Sequence, residues 1–152
     1  VTHTPRAPRA VLTGVAVSMT VVLTTSLGAC RSRPSAVDYA RPFPPLAQQA
    51  SVNVQVVRKT TKIELTNTTA RDFGKSTLWI NSRFAHPIEE FKVGQTLSLD
   101  LSDFRDEHND AFRAGGFFAA EPPDKIALVQ METVGVEGKP EMVGFVIVGG
   151  DE

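Results

Sequence analysis

The chain has 152 residues, with 16 Lys and Arg against 17 Asp and Glu, a formal net charge of −1 and a single cysteine. This near-balance, with no basic cluster, excludes nucleic acid as a partner, and one thiol excludes an internal disulfide framework. The length is that of one domain with flanking segments.

The first element is an export signal. His3, Arg6 and Arg9 make a basic start, and Ala10 to Ala29 carries no charge. Small residues then lead to Cys30 in the run Leu27-Gly28-Ala29-Cys30, the pattern of a cleavable secretory signal. About 20 apolar residues would suffice for a transmembrane anchor. This run, however, is diluted by Thr13, Gly14, Ser18, Thr20, Thr24, Thr25, Ser26 and Gly28.

The segment resembles the lipobox of bacterial lipoproteins. That resemblance implies cleavage between Ala29 and Cys30, a diacylglyceryl group on the Cys30 thiol, and often acylation of the new amine. It places the protein in a bacterial cell envelope, held to the membrane through Cys30. Arg31 follows the cysteine where sorting systems of diderm bacteria read Asp, which favours the outer membrane facing the periplasm in such a host. Removing residues 1 to 29 from the 152 leaves 123. All 17 acids remain, and loss of Arg6 and Arg9 lowers the 16 basic residues to 14, so the mature charge is about −3.

Residues 30–50 read as the lipidated cysteine and a tether. Pro34, Pro42, Pro44 and Pro45 stiffen it, and at ~3.1 Å per residue it would hold a domain up to roughly 60 Å from a bilayer. From Ser51 the signal is β. Val52, Val54 and Val56 alternate with Asn53 and Gln55, and Ile63 and Leu65 with Lys62, Glu64 and Thr66. Leu97, Leu99 and Leu101 alternate with Ser98 and Asp100. Period two marks strands with one buried face. Further strands are expected over 76–82, 125–133 and 142–148, with a short piece near 83–88. Turn material separates them at 68–74, 93–95, 122–124 and 137–140.

One segment has helical spacing. Asp103, Asp106, Glu107 and Asp110 recur at intervals of three and four beside a stripe of Phe104, His108, Ala111 and Phe112. This predicts a short helix over 102–113 that plugs Phe104 and Phe112 into an open end of the fold. The expected fold class is all-β: an antiparallel β-sandwich of about seven strands over 51–152. It resembles immunoglobulin-like and fibronectin type III-like sandwiches in strand count and spacing. That resemblance implies that the third strand and the last two share one sheet. The strands around Trp79, Val129 and Phe145 are apolar on both faces, so both faces should be covered.

Candidate chemistry is sparse. The acids of 103–110 recur without the glycine on which a calcium loop turns, and read as a solvated helix face. His86 and His108 are too few for a zinc or copper site, so no metal and no cofactor is expected. There is no Gly-x-Ser-x-Gly elbow, and the neighbouring Glu89 and Glu90 would point to opposite faces of a strand. No catalytic residue is assigned, and the chain is not expected to be an enzyme. Trp79, Asn81 and Arg83 share one face by period two and form the candidate binding face. An aromatic beside polar donors suits a protein partner or a sugar ring, unless the tether or helix buries Trp79. The sheet apolar on both faces favours a protein over a sugar, since a contiguous exposed apolar patch marks an interaction site. The expected function is therefore a lipid-anchored, non-catalytic module that binds a protein, a second copy of itself included. A glycan-binding module is the first alternative and a small hydrolase the second.

Overall fold

The computed structural model divides the chain into two compact units, Val1–Ser32 and Arg33–Glu152. It describes residues 1–2 and 39–150, the side chain of residue 150 excepted. Cys30, Ala29 and the expected export signal lie outside the described residues. Among the described residues, no helix is long and apolar enough to cross a membrane.

The second unit is mostly β. Its strands are β1 (Gln48–Lys59), β2 (Lys62–Asn67), β3 (Ser76–Ile80), β4 (Phe84–Ile88), β5 (Thr96–Asp100), β6 (Val129–Val134) and β7 (Pro140–Gly150). They form one mixed sheet in the order β4-β3-β6-β7-β1-β2-β5, curled into a half-barrel. Five of its six neighbour pairs are antiparallel, and β1 runs parallel to β7 with three register shifts. The parallel pair corrects the expectation of a wholly antiparallel arrangement. β1 is 12 residues long and hydrogen-bonds on both edges, so it joins the β4-β3-β6-β7 half to the β2-β5 half.

Alternation builds the core. Val54 and Val56 of β1, Ile63 and Leu65 of β2, Leu78 and Ile80 of β3, Val129 and Met131 of β6, and Val143 and Phe145 of β7 bury into one cluster. Both halves of the sheet thus face a single core, and alternate residues such as Gln55, Lys62 and Ser98 face out.

Two expectations need correction. The first concerns the tether. β1 starts at Gln48, and Tyr39, Phe43 and Leu46 pack against Trp79, Ala85 and Met142 on the outer face of the sheet. Residues 39–50 therefore belong to the domain. The second concerns the helix over 102–113, where only a single 3₁₀ turn forms, Leu101–Asp103. Asp106 is buried, and its carboxylate accepts the backbone N–H groups of His108 (2.9 Å) and Asp110 (2.8 Å). Asn109 sits at φ 68°, and Arg105 pairs with Ala111 across the resulting tight turn. An aspartate bonding to nearby N–H groups offers the backbone an alternative to the helix ladder, and here that alternative wins. Phe104 and Phe112 nevertheless bury as expected.

Strand directions give the sheet two ends. The 60–61 turn, the 81–82 turn and the 101–128 connection lie at one end, called here the near end. The 68–75, 89–95 and 135–139 connections lie at the other, the far end.

Candidate functional site

Trp79 is fully buried, and its burial is intramolecular. Phe43 meets the indole edge-on at 5.2 Å, and the Arg41 guanidinium lies 5.2 Å over the same ring. Glu132 accepts the indole N–H at 3.3 Å and also pairs with Arg41. The Tyr39 hydroxyl donates to the carbonyl of Asp103 at 2.5 Å. A sugar ring or partner side chain has no face of Trp79 left to stack on. On the outer side of the sheet the chain's own Tyr39, Phe43 and Leu46 cover Trp79, Ala85 and Met142, whereas Val146, Ile147 and Val148 of β7 stay exposed, so the expected cover on both faces is only local. The candidate binding face is corrected accordingly.

Asn81 and Arg83 are placed elsewhere, by a two-residue turn. Asn81 and Ser82 both take positive φ (54° and 52°), and Arg83 N–H donates to Ile80 O at 3.1 Å. Two consecutive left-handed residues make the hairpin turn whose twist matches the flanking strands, and Asn tolerates that conformation. The Asn81 side chain is spent on structure. It donates to Lys125 O (2.7 Å) and accepts from Ala127 N (2.9 Å) and Leu128 N (3.1 Å), pinning the connection that leads into β6.

Arg83 donates twice to Asp106, at 2.7 and 3.1 Å. Burial alone would raise the Asp106 carboxyl. The Arg83 hydrogen bonds and the N–H groups of Asp110 and His108 outweigh it and hold the group below the usual carboxylate range. Beside this pair runs an open groove of about 580 Å³ lined by Asn81, Arg83, Asp110, Arg113, Asp124 and Lys125. Arg113 is bonded to Asp124 and Glu121, which lowers the Asp124 carboxyl, its hydrogen bond to Arg113 being the largest cause. Both arginines of the groove are thus neutralised by fixed carboxylates. An anionic ligand would have to displace them.

The histidines do not converge. His86 lies in β4 between Tyr39 and Phe104 (ring centroids 5.8 and 5.0 Å), and His108 is exposed on the tight turn. Glu89 and Glu90 are both exposed at the end of β4. Among the described residues, no three His, Cys, Asp or Glu side chains come together as a metal site.

A second bonded network lies at the far end, which alternation in the sequence does not reveal. Asn67 is buried, and its amide donates to Arg71 O (2.9 Å) and Phe91 O (3.1 Å), while its Oδ1 accepts from Thr69 N (3.0 Å). Phe73 and Phe91 exchange both backbone hydrogen bonds, and Val93 N–H donates to Asp72 at 2.7 Å. Arg71 then reaches across to Glu141 (2.7 Å) and Val134 O (2.8 Å). Two connections are thereby bonded to each other and to the facing ends of β6 and β7. On this frame stand Val93, Val134 and Val136, the last 95% exposed. Asn67-Thr68-Thr69, where Asn begins a turn, was the available signal for half of this network. Nothing local marks the long-range contacts of Arg71.

No protein family, curated protein or solved structure matches the chain.

Proposed function

We propose that this chain is a lipid-anchored, extracytoplasmic β-sandwich protein of a bacterial envelope that binds a protein partner through the far end of its sheet and catalyses no reaction. The address rests on Leu27-Gly28-Ala29-Cys30 and on the lack of any second cysteine. Arg31 after Cys30 favours the outer membrane in a diderm host. The sandwich reading takes β4-β3-β6-β7 and β1-β2-β5 as two layers closed by β1 over one core. The adjacency of β3, β6 and β7 agrees with the immunoglobulin-like and fibronectin type III-like pattern.

One observation carries the binding site. Asn67 cross-bonds the connections 68–75 and 89–95. Arg71 ties the first of them to Val134 of β6 and Glu141 of β7, the strand ends that carry the 135–139 connection, and three valines stand in water on this end. Loops fixed before binding lose little conformational freedom on association, which is the cost that most weakens flexible surfaces. Apolar side chains on such a frame are suited to the centre of a protein contact, with Asp72, Lys92 and Glu137 as a polar rim.

Photo-crosslinking in intact cells tests this reading. A photoreactive side chain at Val136 is expected to give a discrete protein adduct, whereas one at exposed Ser98 on β5 gives none. An adduct at the mass of two chains would identify the partner as a second copy. Absence of adducts from Val93, Val134 and Val136 alike would refute the assignment.

A further inference from the structure

The connection between Phe112 and Ile126 closes on itself near the β1–β2 turn. Its neck is fixed by Arg113 and Asp124: Arg113 N–H donates to the Asp124 carboxylate (3.0 Å), and Asp124 N–H returns to Arg113 O (2.9 Å). Gly115 (φ 82°) faces Pro123 so closely that a Cβ there would lie 2.9 Å from the proline ring. A Cβ on Gly116 (φ 115°) would lie 3.1 Å from the Thr61 methyl, and Ala119 N–H bonds Gly116 O at 3.1 Å. Between them the tip presents Phe117 and Phe118, 95% and 94% exposed, edge-to-face at 5.0 Å. Two adjacent bare phenyl rings on a braced neck differ from scattered surface apolar residues. Such a patch marks an interaction site.

The chain's own path says what lies near this tip. Tyr39 is the first residue described in this unit, and its hydroxyl is tied to Asp103. The 3₁₀ turn that ends at Asp103 begins at Leu101, whose N–H bonds Thr61 O, and the Thr61 methyl lies beside Gly116, 3.1 Å from where a Cβ there would stand. A run of contacts therefore leads from Tyr39 to the foot of the Phe117-Phe118 tip. From Cys30 to Tyr39 there are only nine residue steps, at most roughly 30 Å of extended chain.

We propose that Phe117 and Phe118 form a second membrane contact and enter the interface of the bilayer that holds the lipid on Cys30. The proposal rests on the lipid-anchored reading for the nearness of that bilayer. A convex pair of rings makes no shape demand on its partner, which suits a fluid interface better than a protein surface. The charges flanking the neck are mixed, Arg113 and Lys125 with Glu121 and Asp124, so the rings drive entry and anionic lipid is not required. Interfacial segments settle roughly 5–10 Å into the headgroup and acyl boundary. The bonded turn at Gly116–Ala119 limits how much unpaired backbone must follow.

The test uses the full acylated chain in phosphatidylcholine vesicles, with Phe118→Trp as reporter. Trp79 is the sole native tryptophan and is fully buried, so it contributes a constant background. Lipids brominated on the upper acyl chain are expected to quench the emission of the introduced indole roughly twofold, aqueous iodide to have little effect, and wild type to respond to neither. Quenching by iodide but not by bromolipid would place the ring in water and overturn the proposal. Protection from both quenchers would mean a protein covers the tip, and would overturn it equally. The mass of the N-terminal peptide from the same preparation reports acylation of Cys30 separately, so loss of the anchor reading and loss of the membrane tip are told apart.

Discussion

Replacing Phe43 by Ala tests whether residues 39–47 are part of the fold or only lie against it. Phe43 is half-buried and packs edge-on against Trp79. A fully buried Phe→Ala change costs about 3–5 kcal/mol, and half the burial scales this to about 2 kcal/mol. The aromatic pair adds about 0.5–1.5 kcal/mol, part of which the area term already contains. The expected loss is therefore about 2 kcal/mol. Arg41→Ala should cost less: its pair with Glu132 is well exposed on the arginine side (41%), and such pairs contribute about 0–1 kcal/mol. Urea unfolding of the detergent-solubilised chain, followed through its single tryptophan, gives the free energy. Acrylamide quenching of the folded state gives the exposure of Trp79. If the clamp belongs to the cooperative unit, the Phe43→Ala midpoint falls with an unchanged slope. If the clamp opens by itself, quenching of Trp79 rises while the midpoint stays. Neither change in Phe43→Ala would refute the claim that this segment is what buries Trp79.

Two further substitutions address the anchor and the buried carboxylate. Cys30→Ser should release the protein from membranes or leave its signal uncleaved, as read by fractionation and by the mass of the chain. Normal processing with full membrane retention would remove the lipoprotein reading. Asp106→Asn should destabilise by about 1–2 kcal/mol at neutral pH, since the charge-assisted bonds weaken while an acceptor remains. The folded Asp106 carboxyl is held below its unfolded value of about 3.9, so its contribution is complete above that value and is lost as pH falls through the folded one. The gap between wild type and Asp106→Asn in chemical unfolding should accordingly narrow below about pH 4. A gap that widens on acidification would contradict the sign.

The strands were legible because period two survives wherever one face meets the core. Val54 and Val56, Ile63 and Leu65, and Leu78 and Ile80 all bury as their alternation requires. The helix over 102–113 was misread because spacings of three and four count side chains without showing where they bond. Asp106 turns inward to satisfy two N–H groups of its own loop, which no periodicity records. The candidate binding face failed differently. Trp79, Asn81 and Arg83 do alternate, but Trp79 lies under Phe43, and Asn81 has left the strand for a left-handed turn. Alternation stops at the residue where φ changes sign. The far-end network stayed hidden because Arg71 meets Glu141 across 70 positions, a distance over which local pattern carries no information.

The clamp also changes what the proposed anchor could do. A free tether to residue 50 would let the domain roam up to roughly 60 Å from the bilayer. With Tyr39 held to Asp103 and Phe43 against Trp79, the nine residue steps from Cys30 to Tyr39 span at most roughly 30 Å. Under the proposed lipid anchor the domain stays close to the membrane, and the Phe117-Phe118 tip needs no extra reach to touch it. The strands run from that near end to the far end, so a tip seated in the bilayer turns Val93, Val134 and Val136 away from it. The two proposals thereby constrain each other: a crosslinked partner at Val136 should approach from the aqueous side. An adduct to a membrane-embedded segment would be incompatible with the proposed orientation.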